Sequence, residues 1–497
     1  MKFKKLVYLI LLISIFQATA QENVFLSRDY WKNGPSLEQV KSDHAHGNDP
    51  AQLNTYAFDA VVYALLEKVD DEVIQYLLSQ KGNSVHKKTH DSRIYLHWAA
   101  YAGQTSIVNF LLENGSSVDE LDSHGYTPLT FAANAGQKNM ALYEIFEKHG
   151  VNLATEKNGH GANILLLVAH ALTTEKELNN FLDKGLALES LDEIGNGIFN
   201  YASKNGNITF LKLLVDKGVD FKTPNAEGGN AFLYAAQGTR GHTNSIKLYQ
   251  YLQSLGLKPD VSTKDGLTPL HYLANNNTDP QIIDFFVTAG AYVEQKDAAG
   301  NTPFLNAASK NKLEIIQLLF PNVKNIHNSN KTGQSALMLA TQNNTNEVVT
   351  FLIEKGASVK DQDMAGNGLG YYLVDGYSDS NELVFDQKLI TLTAAGLKMD
   401  TLQSNEETLL HLAVKKNSLP LLKTLATYQI PMNTKNKEGL TPLHLAAMKA
   451  TGTEILQFMI DKGADKKATT DFGETVYDLA SENEILLKQN IKINFLQ

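Results

Sequence analysis

No cysteine occurs anywhere in the 497 residues. That absence excludes disulfide frameworks, thiolate nucleophiles, Cys-ligated zinc, iron–sulfur clusters and covalent haem attachment, each of which needs a sulfur. Basic charge is also short: 44 Lys+Arg stand against 54 Asp+Glu, a formal net charge of -10. Adjacent basic residues occur as scattered pairs such as Lys87-Lys88, Lys415-Lys416 and Lys466-Lys467, far from the runs that grip nucleic acid, and no nucleic-acid partner is expected. Long hydrophobic runs are missing beyond the first twenty residues, so no spanning helix is expected in the rest of the chain. Catalytic signatures are absent too: there is no G-x-S-x-G, no H-E-x-x-H and no P-loop.

Lys2, Lys4 and Lys5 precede an apolar run from Leu6 to Phe16, and Ala18-Thr19-Ala20 supplies small residues two apart before Gln21. This is the pattern of a secretory signal peptide cleaved after Ala20. Eleven apolar residues span about 16 Å at 1.5 Å per residue, about half the hydrocarbon thickness, which argues against a membrane anchor. The mature chain is therefore expected in a periplasm or outside the cell, where a lack of free thiols suits an oxidising medium.

Three stretches share one wording: Gly125-Tyr126-Thr127-Pro128-Leu129-Thr130, Gly266-Leu267-Thr268-Pro269-Leu270-His271 and Gly439-Leu440-Thr441-Pro442-Leu443-His444. With the Thr as register, equivalents fall at Asp59, Ile94, Thr127, Asn163, Gly197, Asn230, Thr268, Thr302, Ser335, Gly368, Thr408, Thr441 and Thr475, mostly 33 or 34 residues apart. A period of this length marks a repeat array rather than separate globular domains. Within one unit, Thr268 is placed to cap a helix by accepting backbone N–H bonds, and Pro269 sits where its missing donor costs nothing. Leu270, Leu273 and Ala274 form an apolar stripe; beyond Asp279-Pro280 a second stripe of Ile282, Ile283 and Phe286 runs to a stop at Gly290. Helices this short must bury their stripes against neighbouring units, so stability becomes a nearest-neighbour sum along one elongated core.

The motif and its period resemble the ankyrin repeat family. The resemblance covers residues 35–497 in about thirteen repeats with degenerate caps, after a lead-in at 21–34. It implies an all-α solenoid of stacked helix-turn-helix units with β-hairpin-like loops, here Asp119–Tyr126, Asp192–Asn196, Thr263–Leu267, Lys296–Asn301 and Asn436–Leu440. Caps should be weaker at Asn163, Gly197 and Gly368, which lack the Thr-Pro, and surface insertions are expected at Gly238–Asn244 and Asp375–Phe385. His97, His271, His411 and His444 hold the last motif position, which the family uses for loop hydrogen bonds. His44-Ala45-His46 with Asp49 belongs to a helix-end turn, His86 and His90 to a loop. Asp361–Tyr372 lacks the bidentate glutamate of a calcium loop. No metal, cofactor or catalytic residue is assigned.

The resemblance further implies a non-catalytic scaffold, expected to be a monomer, that binds a protein through hairpin tips and a concave inner-helix face. The family's variable positions place candidate contacts at Arg93, Tyr101, His124, Tyr126, Glu193, Asn196, Lys204, Leu267, Asn275, Leu440 and Met448. Trp98 is expected in packing and Trp31 over the N-terminal edge. An accessory or protector of an enzyme, or a secreted effector of host proteins, are the alternatives.

Overall fold

A computed structural model describes residues 23–497; the segment read as a signal peptide, with its cleavage site after Ala20, lies outside the described residues. The chain divides into two compact units, one ending at Glu193 and one running from Ile194 to Gln497. Each is an all-α stack of helix pairs. Among the described residues the only β pairings are isolated bridges such as Lys157 with Asn163 and Ser329 with Ser335.

Every register position named above is the N-cap of a first helix, from Ala60–Leu66 after Asp59 to Val476–Ser481 after Thr475. Thr302 and Thr441 act as expected, their hydroxyls accepting from Leu305 N–H at 3.1 Å and His444 N–H at 3.3 Å. Thr268 departs from this. Its hydroxyl meets His271 Nδ1 at 2.8 Å, and the same nitrogen accepts the Thr268 N–H at 3.1 Å. His271 Nε2 then reaches the Asn301 carbonyl at 3.2 Å. A backbone N–H can only donate and a carbonyl can only accept, so the ring is the neutral Nε2–H tautomer. His411 and His444 repeat the arrangement, toward Leu440 O and Ala468 O at 3.0 Å each. The motif histidine thus ties each first helix to the next loop, and burial lowers the pKa of all three.

The weak-cap expectation divides. Asn163 is a sound cap, its side chain accepting the Leu166 N–H at 3.0 Å. Gly197 and Gly368 offer no side-chain cap. Gly368 N–H is instead satisfied by Gln403 Oε1 at 2.9 Å from the following repeat.

Second helices are linked backward by a recurrent buried asparagine. Asn311 Nδ2 donates to the carbonyls of Ala274 and Asn277 at 2.9 Å each; Asn344 does the same for Ala308 and Asn311, at 3.0 and 2.9 Å. These carbonyls end first helices, where no intrahelical donor remains. In the long repeat at Asn230 the loop Gly238–Asn244 ends on Asn244, whose Nδ2 reaches Lys204 O and Ala235 O at 3.0 and 2.8 Å, so the insertion leaves the tie intact. In the long repeat at Gly368 the expected loop is only partly loop: Glu382–Ala394 is a 13-residue helix. There Lys388, 6% exposed, donates from Nζ to Thr341 O at 2.9 Å, the carbonyl equivalent to Ala274 O, and takes over the role of the asparagine.

The lead-in is ordered from Asn23. Trp31, on the helix Arg28–Lys32, is 1% exposed, stacks near Phe25 and donates from Nε1 to Phe25 O at 2.9 Å. With Leu37–Ala45 this helix makes a further pair that covers the first repeat's edge.

Candidate functional site

Loop geometry repeats as strictly as the helices. Five residues before each register position stands Asn, Asp or Thr in nearly every repeat, and its side chain folds the loop over itself: Asp122 Oδ1 accepts from His124 N and Tyr126 N at 2.9 Å each. Asn158, Asn225, Asp297, Asn330 and Asn436 do likewise. This is the Asx-turn mechanism. The left-handed residue two before the register is glycine at Gly266, where a Cβ would run into the carbonyl oxygen of Lys296. Successive tips then pair by backbone: Ser123 N–H to Asp91 O at 2.9 Å in the first unit, and Lys264 N–H to Glu227 O at 2.8 Å in the second. Within each unit, tips and first helices therefore form a lining on which side chains are held at regular spacing.

The residue four after the register faces that lining, and in six repeats of the first seven it is aromatic: Tyr63, Trp98, Phe131, Tyr201, Tyr234 and Tyr272. In the first unit these rings join others into a continuous surface. Phe58 stacks on Tyr63 and on His90 with centroids 5.5 and 4.7 Å apart. Trp98 meets Phe131 edge-on at 5.8 Å, and Tyr101 stacks on Phe131 at 5.2 Å. Phe58, Tyr63, Tyr101, Tyr126 and Phe131 remain partly exposed, while Trp98 is buried at 5%.

Beneath this surface lies Arg93. Its guanidinium carbon is 4.1 Å from the Phe131 ring centroid and 5.1 Å from that of Trp98. Its nitrogens reach Asp122 Oδ2 at 2.8 Å and Asp91 Oδ2 at 3.0 Å. At 8% exposed it holds two loop tips and the ring cluster together. Asn196, 0% exposed, accepts from Asn200 and Asn225 at 2.9 Å each. Both side chains are buried, with their polar groups engaged inside the loops.

The other candidates lie as follows. Tyr101 and Tyr126 belong to the aromatic surface, and burial raises the pKa of Tyr126. His124 is exposed, with Nε2 at 3.4 Å from Asp91 Oδ2, and Glu193 is exposed on a tip. Lys204 places its ammonium 5.3 and 5.4 Å from the Tyr201 and Tyr234 rings. Leu267, Asn275 and Leu440 are partly exposed, and Met448 is 49% exposed on a first helix. Tyr63, Phe131, Tyr234 and Tyr272 escaped the sequence reading, although their common register was available to it. Phe58 escaped as well, one residue before Asp59.

Among the described residues no group of three His or acidic side chains is placed to hold a metal ion, and no helix is long and apolar enough to cross a membrane.

Family comparison matches a model described as ankyrin repeats (3 copies) to residues 61–156, 199–297, 270–363 and 381–470. The chain is similar to Alpha-latroinsectotoxin-Lt1a of Latrodectus tredecimguttatus, 24% identical over 65% of this chain and 22% of the toxin. It is similar to Transient receptor potential cation channel subfamily A member 1 of Homo sapiens, 22% identical over 59% of this chain and 26% of the channel. It is also similar to Palmitoyltransferase AKR1 of Lachancea kluyveri, 26% identical over 33% of this chain and 22% of that protein. The chain thus spans about a quarter of the length of these three relatives.

Proposed function

The chain belongs to the ankyrin repeat family, and from that premise we propose that it is a non-catalytic, exported scaffold that holds a protein partner against its loop tips and first helices. Ankyrin repeats generally mediate protein–protein interaction, and the family is typically non-catalytic. Export rests on the residues 1–20 pattern alone.

The observation that carries the reading is the aromatic row four residues after the register. Folding does not require aromatics there: the same position holds Leu167, Asn306, Leu339, Leu412, Leu445 and Leu479 in six other repeats, and in the remaining one Tyr372 is buried at 1%. Placing tyrosine, tryptophan and phenylalanine at this position, with most rings left partly open to solvent, costs apolar exposure that a leucine would reduce. Large rings with a polar edge and few rotatable bonds are the groups that dominate binding energy at protein interfaces. Arg93 holds Trp98 and Phe131 in place, so little conformational entropy is lost when a partner docks on them.

The test is a photo-crosslinking residue introduced at Tyr101, compared with one at Glu113, which is exposed on the second helix Thr105–Glu113. In the native cell envelope and medium, one protein should be captured from position 101 and not from 113. Equal labelling at both positions, or none at 101, would refute the assigned face. The captured protein's identity also separates an enzyme accessory from an effector of host proteins.

A further inference from the structure

In the unit from Ile194 to Gln497, a cleft of about 250 Å3 opens between loop tips and first helices of the repeats at Gly197, Asn230 and Thr268. Its apolar lining comes from Ile194, Leu233 and Leu267, and two rings of the aromatic row, Tyr234 and Tyr272, stand beside them. Its polar lining includes Glu227 and Asp265 together with the neutral Asn225, Gln237 and Thr263. These acids hold equivalent places, three residues before Asn230 and Thr268, on tips that the Lys264-to-Glu227 backbone bond sets side by side. Neither carboxylate has an ion pair or a side-chain hydrogen bond among the described residues, and the lining contains no cation.

We infer that this cleft is a socket for one basic side chain, arginine or lysine, of an extended segment of the partner. The inference rests on the scaffold reading and names the chemistry the partner must supply. Three features select that chemistry. A volume of about 250 Å3 suits a single large side chain better than a whole small-molecule ligand. Two like charges on adjacent tips repel one another until a cation lies between them. Leucine side chains and tyrosine faces accommodate an aliphatic stem and a cation together, as a bare carboxylate pair does not. The chain already uses this row in the same way: Lys204 holds its ammonium 5.4 Å from the Tyr234 ring centroid, outside the cleft lining. An acidic or purely apolar side chain would leave the two carboxylates unpaired or desolvate them without compensation.

The experiment is selection of a randomised dodecapeptide library on the full chain, followed by synthesis of the best binder. The selected peptides should share Arg or Lys at one position. Replacing that residue by norleucine should weaken binding about tenfold or more, as should the double substitution Glu227→Gln, Asp265→Asn. Combined, the two changes should cost little more than either alone, because they remove the same contact. Both acids lie on loop tips, so the melting curve should not move; Tyr272→Leu provides a second variant with the same expected loss. Peptides that bind without a basic position, or whose affinity ignores the double substitution, overturn the socket and leave the scaffold standing. A library yielding no binder also overturns the socket, whereas the scaffold falls only if crosslinking at Tyr101 fails as well.

Discussion

Replacing Asn311 by alanine tests whether the buried asparagines, and not hydrophobic contact alone, bind one repeat to the next. Asn311 is 2% exposed and its amide donates to Ala274 O and Asn277 O at 2.9 Å each. Each such bond contributes about 1 kcal/mol net, and a buried carbonyl left without a donor costs about 1–3 kcal/mol, so the loss should be about 2–4 kcal/mol. Asn343→Ala is the control. Asn343 is exposed and its amide contacts Ser309 Oγ at 3.3 Å, so its loss should stay within about 0.5 kcal/mol. A stack of many repeats need not unfold in one step, so hydrogen exchange should be read by segment alongside urea melts. Protection should fall in Pro269–Asn276 and Pro303–Lys310 before other segments of the unit. Asn311→Asp sharpens the test, because a carboxylate cannot donate to carbonyl oxygens. Burial beside them would raise its folded pKa above the ordinary value of about 3.9, so the stability present at acid pH would be lost as pH rises through that folded pKa. A cost below about 0.5 kcal/mol for Asn311→Ala, with exchange unchanged, would refute the reasoning.

Further outcomes follow from the same geometry. His97 lacks a motif threonine, its Nδ1 is buried without a partner, and burial lowers its pKa to about 4. The folded state then refuses a proton that the unfolded chain takes near pH 6.5, so stability present above pH 6.5 should fall by roughly 3 kcal/mol as pH drops toward 4. His97→Gln should flatten that part of a pH-stability curve, and an unchanged slope would contradict the assignment. Lys388 is held to about 8 by burial, against 10.5 in the open chain. Stability should therefore rise by roughly 3 kcal/mol between pH 8 and 10.5 in the native chain and not in Lys388→Met, as urea melts at each pH would show. Leu270 is fully buried, so Leu270→Asp should destabilise its repeat by several kcal/mol, and an unaltered melting curve would contradict the packing.

The sequence already carried the register, the helix pairs and the structural histidines, because each repeats a local signal: a cap, a proline, an apolar stripe. The ties between repeats were hidden. Asn311 reads locally as a polar residue near a turn, and only the stack shows that its amide faces two carbonyls from the preceding unit. Lys388 was beyond reach for a stronger reason, since its position shares no register with the asparagines it replaces. Arg93 was read as a surface anchor because its variable position faces outward in the family pattern; Asp122 and two rings draw it inward instead. Tyr234 and Tyr272 look like ordinary helix residues one at a time, and only their recurrence beside the tip acids makes a surface of them.

The proposed role of the aromatic row in the first unit is to bind a protein. Its most direct test is the affinity of the crosslinked partner, purified, for a chain carrying Tyr63→Leu, Tyr101→Leu and Phe131→Leu. Leucine occupies the position of Tyr63 and Phe131 in other repeats, and Tyr101 lies partly exposed beside Phe131, so the stack should melt within a few degrees of the native chain. If the three rings are binding anchors at about 2 kcal/mol each, affinity should fall by about ten-thousandfold where their contributions add. Unchanged affinity with an intact stack would show that the aromatic row is not the interface.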